Sequence, residues 1–174
     1  RLAAGGYCAP TASNNGPSAS FGMVYVAAGQ PLSNIKEIAC GDVAYYALDE
    51  NGYIWSWGDS WNSACGQGPN LQSNSPQRVI KGNVDDEDSD GTYLLAKSVG
   101  GGQSSGMAVS ITGKPVTWGA NPGQGSSSAA DQPGYVKATG GVVHDDVVLI
   151  NKGDNWGFYG RADGTMYAWG LNDN

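Results

Sequence analysis

The stretch "DDEDSDG", Asp85 to Gly91, is where residue types and spacing in this 174-residue chain come nearest to a chemical device. Asp86, Asp88, Asp90 and Gly91 spell D-x-D-x-D-G, the opening of a calcium loop of the EF-hand type. Carboxylates at alternate positions of a tight loop can converge on one hard cation, and the glycine permits the sharp turn. The ninth and twelfth positions, which should complete the ligand set, are Leu94 and Lys97. The competing reading is a solvated, self-repelling acidic insertion. On that reading, replacing the three aspartates by asparagine barely changes stability. Calcium is the one cofactor the sequence suggests.

The other reactive residues form no comparable set. His144, the single histidine, stands beside Asp145 and Asp146, but general acid–base work also needs a nucleophile or metal opposite it. The serines of "GQSSGMAVS" and "GQGSSSAADQ" lack the G-x-S-x-G context of a nucleophile elbow. "VGGGQSSG" lacks the lysine that ends a phosphate-binding loop. The cysteines, Cys8, Cys40 and Cys65, show no zinc spacing. Cys40, in the apolar run "IACG", reads as a buried small hydrophobe. Cys8 and Cys65 lie in loop-like sequence and are free to pair in an oxidising compartment.

The elements that hold these loops come from an internal repeat. "NGYIWSWGD", "TGKPVTWGA" and "DGTMYAWGL" share one frame, in which a glycine precedes a Trp-Gly pair: Gly52 with Trp57, Gly113 with Trp118, Gly164 with Trp169. A further glycine stands upstream at one constant offset: Gly41, Gly102 and Gly153. In the first two copies a "GQG" follows, then Pro76 with Val79 and Pro133 with Val136. Self-similarity at a fixed spacing outranks other fold signals. The first copy carries a four-residue insertion, in "DSWNSACGQG" against "ANPGQG", and it contains Trp61.

Within a copy, "IKEIACG", "YYALDENG" and "YIWSWG" are short apolar runs separated by turn residues, with period-two alternation. Asn-Gly and Asp-Gly supply the positive φ that a tight hairpin needs. "PQRVIK" and "PGYVKA" read as a weaker fourth strand, and no amphipathic helix is expected. Each copy is a small antiparallel sheet, and radial repetition of such sheets makes a propeller.

The order G…DG(x)V(x)WG…GQ(x)G…P(x)(x)V closely resembles the repeat of the regulator of chromosome condensation family, over roughly residues 35 to 174. The resemblance implies an all-β fold: a β-propeller of the regulator-of-chromosome-condensation type, here an incomplete arc of antiparallel four-stranded blades. Where the family usually has a histidine three residues after the first glycine, this chain has Ala44, Ser105 and Trp156. The departure points to a divergent member, bacterial or viral. The expected division is 1–34 as the end of a preceding blade or an N-terminal extension, 35–94 as a blade with an acidic insertion, 95–146 as a blade, and 147–174 as a truncated blade. Trp61, on the insertion, and Trp156, in place of the histidine, are the expected interface anchors, because insertions map to loops and large aromatics anchor interfaces.

Composition narrows the function. Nine Lys and Arg are set against sixteen Asp and Glu, for a net charge of −7. Nucleic-acid binders concentrate basic residues to neutralise phosphate, so no nucleic-acid partner is expected. No apolar run is long enough for a transmembrane helix. Relatives of the fold exchange nucleotides on a GTPase, bind chromatin or clamp enzymes, all through loop faces. The resulting expectation is a non-enzymatic protein-interaction scaffold, extracellular or surface-associated, within a larger secreted, cell-surface or virion-surface protein. Its partner is a protein, or the remaining blades of the same chain or assembly. The alternatives are a calcium-dependent adhesin or lectin-like propeller using the acidic loop, and a hydrolase or lyase working from the propeller channel.

Overall fold

The computed structural model describes residues 23–69, 71–120, 122–125 and 129–170. Among them the regular structure is β-strand with three short 3₁₀ turns and no α-helix. A small ribbon, β1 (Tyr25–Ala27) with β2 (Gln30–Pro31), precedes the first blade. Blade 1 is the antiparallel sheet β3 (Ile35–Cys40), β4 (Ala44–Asp49), β5 (Ile54–Gly58) and β6 (Ser73–Arg78). Blade 2 repeats it with β7 (Ala96–Gly102), β8 (Ser105–Ser110), β9 (Pro115–Gly119) and β10 (Ala130–Tyr135). Blade 3 has β11 (Val147–Lys152), β12 (Trp156–Arg161) and β13 (Met166–Gly170).

The hairpin glycines do what the sequence requires of them. Gly52 closes β4 to β5 at φ 91°, while Asp49 Oδ1 accepts the backbone N–H groups of Asn51 and Tyr53, both at 3.0 Å. The fourth strands begin three residues earlier than "PQRVIK" and "PGYVKA" suggest. Pro76 and Pro133 fall inside them, where the pairing with β5 and β9 shifts register. A proline there removes no ladder bond, as an edge strand allows. Val79 and Val136 follow the strands, buried, their N–H groups donating to Ile54 O (2.8 Å) and Pro115 O (2.9 Å).

The blades meet through their first strands. β7 packs on β3 and β4 of blade 1, and β11 packs on β7 and β8 of blade 2. This is why the first repeat position is glycine. A β-carbon at Gly41 would overlap the carbonyl oxygen of Gly102, and one at Gly102 would overlap that of Gly153. Outside these contacts lies a seam of apolar side chains. Between blades 1 and 2 it includes Tyr46, Leu48, Ile54, Ala64, Val99, Val116 and Trp118; between blades 2 and 3, Met107, Val109, Val136, Val147 and Tyr159.

The repeat tryptophan closes that seam. Trp118 is wholly buried, and its indole N–H donates across it to Ala64 O at 2.8 Å. The same carbonyl accepts Tyr46 OH at 2.6 Å, and the two rings meet edge to face. Trp57, Trp118 and Trp169 hold equivalent register positions, opposite Tyr45, Gly106 and Gly157. The partner residue decides the indole's seat. A β-carbon at Gly106 would overlap the Trp118 ring. Tyr45 stands there in blade 1, and Trp57 stacks on it instead, at 5.7 Å and 29°.

Two expectations are corrected. Cys40 is exposed, because alternate residues of β3 (Lys36, Ile38 and Cys40) project from the face of blade 1 that turns away from blade 2. The acidic stretch is solvated at Asp85, Asp86, Glu87 and Asp90, as expected of an acidic insertion, but not at its centre. Asp88 is fully buried and joins the hairpin turn of blade 2 to the end of blade 1. Its Oδ1 accepts Thr112 N–H (3.0 Å) and Thr112 Oγ1–H (2.8 Å), and its Oδ2 accepts Tyr135 OH (2.7 Å).

The three aspartates are therefore not equivalent. Asp88→Ala orphans three donors and is expected to cost about 2–4 kcal/mol in a urea titration. Asp86 is exposed and paired only with Lys81, so Asp86→Asn should change stability by less than ~0.5 kcal/mol. Equal effects would refute the clamp. At the seam, Gly102→Ala must push two backbones apart, at a cost of more than about 3 kcal/mol. Gly164→Ala, at φ 87° with open space around it, should lose only about 1–2 kcal/mol through left-handed strain. Thermal denaturation of the two variants side by side checks the order.

Candidate functional site

The acidic loop spends its charge on blade 2. Asp85 Oδ2 and Glu87 Oε1 share the Lys114 ammonium at 2.9 and 2.5 Å, which lies 5.0 Å from the Tyr135 ring centroid. The Glu87 hydrogen bond, with that of Asp85 next, holds the Lys114 pKa above its ordinary value; Lys114 in turn holds the Asp85 carboxyl below its own. Asp90 is drawn down by the backbone N–H groups of Tyr93 (2.7 Å) and Thr92 (2.9 Å), and its Oδ2 accepts Tyr53 OH at 3.0 Å. Asp86 points outward to Lys81. The three aspartates of the D-x-D-x-D-G pattern thus face three different sets of protein donors. Among the described residues, no three Asp, Glu, His or Cys side chains gather in a group that could hold a metal ion.

The His144 cluster is likewise divided. Nδ1 of His144 bonds to Tyr159 OH at 2.7 Å, and its ring lies 4.5 Å from that of Tyr167. Asp146 turns away to a bidentate pair with Arg161, at 2.7 and 2.9 Å, which lowers its pKa. Cys65 is buried, its thiol facing Gly58 O and Asp59 O at 3.7 and 3.9 Å; its proposed partner, Cys8, lies outside the described residues. Sequence reasoning missed Lys152, which is 4% exposed with no hydrogen-bond partner for Nζ. Burial pushes its pKa down to about 8. Its position matches Cys40 and Gly101 in the repeat, and that substitution of a long cation for small residues was its only signal.

The two tryptophans singled out from the sequence lie in different settings. Trp156 opens β12 on the open face of blade 3, half exposed and stacked on Phe158 at 5.8 Å and 8°. Leu149 (70% exposed) and Met166 (71%) are further large apolar residues exposed on this terminal blade. In blade 2 the residues at the positions of Trp156, Phe158 and Ala168 are Ser105, Met107 and Thr117, all fully buried at the seam with blade 3. Trp156 thus stands at the start of a strand, as the sequence placed it, on the sheet face that in blade 2 is turned to blade 3.

Trp61 does lie on a loop. It begins a 3₁₀ turn, Trp61–Ser63, in the four-residue insertion, packed on β9 and β10 of blade 2, with its side chain largely in solvent. Asp59, Ser60, Trp61 and Gln72 line a shallow cleft there.

With this geometry in hand, the chain can be compared with known proteins. Residues 35–67 match the family model described as "Regulator of chromosome condensation (RCC1) repeat". The chain is 25% identical over 151 residues to the E3 ubiquitin-protein ligase HERC2 of Homo sapiens, and equally to that of Mus musculus. The match covers 83% of this chain but only 3% of either ligase. Among solved structures it resembles Prp20p from Saccharomyces cerevisiae, studied for its binding to Gsp1p and histones, at TM-score 0.66 and 19% identity. That match covers 98% of this chain and 40% of the other. Yeast RCC1 (Prp20) bound to Kap60 matches at TM-score 0.60 and 19% identity, over 82% of this chain and 31% of that one. Human WBSCR16 gives 0.61 and 19%, over 79% and 33%. Residues 35–67 of the first blade thus match an RCC1 repeat, and the chain has the fold of the RCC1-type β-propellers, as three consecutive blades.

Proposed function

We propose that this chain is a non-enzymatic protein-interaction scaffold whose open blade-3 face docks a further β-sheet blade, as part of a larger secreted, cell-surface or virion-surface assembly. The carrying observation is the exposure of Trp156, Leu149 and Met166 on the terminal blade, where the blade-2 counterparts of Trp156 are sealed. Large apolar side chains gathered on one surface mark interaction sites. In a repeat array, stability is roughly the sum of intrinsic blade terms and neighbour interfaces, so covering this face adds a full interface term. That Prp20p is a binder of other proteins supports a binding role here. The surface-associated setting is supported by the acidic, Gly-rich composition with few charges.

The test is light scattering on the purified chain, with a paired variant, Leu149→Asp with Trp156→Asp. The parent is expected to associate through this face, with a melting temperature that rises with protein concentration, and the variant to be monomeric, with a melting temperature that does not depend on concentration. A parent that is monomeric with a single sharp unfolding transition overturns the reading.

The calcium-dependent alternative is tested apart. Any ligand bound only by the folded state must raise its stability. With the acidic loop's carboxylates engaged by Lys81, Lys114, Thr112 and Tyr135, millimolar calcium is expected to leave the melting temperature where it was. A clear rise would favour the calcium-dependent adhesin alternative instead.

A further inference from the structure

Trp61 has no packing role that explains it. It belongs to four residues that blade 2 lacks at the same place, so the blade can be built without them. An indole 68% exposed contributes little to a core. Yet its backbone is held firmly, in a conformation that side chains resist. Asn62 and Ser63 both take left-handed φ, 54° and 62°. Such residues persist where the surroundings over-determine them, and they cluster at ligand clamps.

The surroundings here are specific. Ser63 N–H donates to Ser60 O at 2.8 Å, and Ser63 Oγ donates across the seam to Asp131 Oδ1 at 2.8 Å. Ala64 N–H donates back to Trp61 O at 3.2 Å. Ala64 O is itself gripped by Tyr46 and Trp118. The platform is thus tied to both blades, and the ring it carries stands in water.

What lines the cleft beside that ring is polar. Gln72 Nε2 donates to Asp59 Oδ1 at 2.7 Å, which sets the carboxylate and the amide in one mutual orientation. Among the described residues, Asp59 Oδ2, Gln72 Oε1 and the second Gln72 N–H have no other partner, leaving two acceptors and a donor. The volume is about 310 Å³, at the small end of ligand sites, which run from roughly 300 to 1,000 Å³. One flat aromatic face beside a fixed carboxylate–amide pair calls for a ligand with an apolar face and a hydroxylated edge. A hydrophobic anchor pocket for a peptide would instead surround the aromatic with apolar neighbours. None of the four lining residues is basic, and the chain carries −7 overall, so an anionic ligand is disfavoured.

We infer that the cleft of Asp59, Ser60, Trp61 and Gln72 binds a neutral hexopyranose ring, stacked by its C–H face on Trp61 with its hydroxyls on Asp59 and Gln72. The site needs no metal and works independently of the blade-3 face. A ring of this size is expected to bind with a Kd of about 1 mM, and linked rings more tightly.

The experiment presents the full chain to a panel of neutral gluco-, galacto- and manno-oligosaccharides, with sialylated and uronic-acid oligosaccharides as controls. Affinities follow by calorimetry and by ligand-observed NMR, with and without EDTA. A neutral member of the panel should bind, insensitive to EDTA. Trp61→Ala should weaken it at least about tenfold with the melting temperature unchanged, while Trp61→Phe retains part of the affinity. Asp59→Asn and Gln72→Ala should each weaken binding and change the order of preference among the sugars. The inference is overturned by no binding at 10-fold the expected Kd (about 10 mM), by preference for the acidic sugars, or by binding that Trp61→Ala leaves intact. It is also overturned if Trp61→Ala abolishes protein self-association and no sugar binds, because the indole is then a protein contact.

Discussion

The backbone contact between neighbouring blades at Gly41, Gly102 and Gly153 is the constraint on which the rest of the structure depends. With no β-carbon in the way, the first strand of each blade lies directly against the next, carbonyl to Cα. That spacing brings β7 onto β3 and β4, and β11 onto β7 and β8. The apolar seams can then close, and Trp118 can reach Ala64 O from the blade beyond. If the first strands were held farther apart, the indole would lose both its acceptor and its burial. Non-directional packing and one directional hydrogen bond therefore act at the same joint.

The same joint explains why the polar residues near it are structural. A carboxylate removed from water is tolerable only when its lone pairs are met. Asp88 satisfies that with donors from the turn at Thr112 and from Tyr135, linking the end of one blade to two parts of the next. Glu37 is used similarly, accepting Ser98 Oγ–H at 2.9 Å and Val99 N–H at 3.2 Å across the seam. Arg78 lies 3.8 Å from the centroid of the Tyr53 ring, and Tyr53 hydrogen-bonds to Asp90. Carboxylates that resemble a metal loop in one dimension are distributed along a joint in three. What the joint does not consume is left exposed: the open sheet face of blade 3 and the indole of Trp61.

The identity of the repeat was legible because its physical requirements are local. Hairpin turns need glycine at positive φ, strands need period-two alternation, and the closing position needs a large flat ring. Those demands recur at constant spacing, so three copies announce themselves and with them the antiparallel sheets and their order. The positions of Trp57, Trp118 and Trp169 followed from the same register. Even the difference in how Trp57 sits was written in the chain, as Tyr45 against Gly106 and Gly157, although its meaning depends on knowing which strand lies opposite.

By itself, then, the sequence determined the all-β class, the blade as a unit, its strand order and the net negative charge, since each depends on spacing or composition along the chain. The tertiary structure alone decided which aspartate is buried, that Cys40 faces outward, that Lys152 is enclosed and that Trp156 is half exposed. The physical reason is that burial and pairing across a seam belong to two blades at once. Asp86, Asp88 and Asp90 are chemically identical and evenly spaced. Only the Thr112 and Tyr135 donors, 24 and 47 residues away, make one of them a joint and leave the others at the surface.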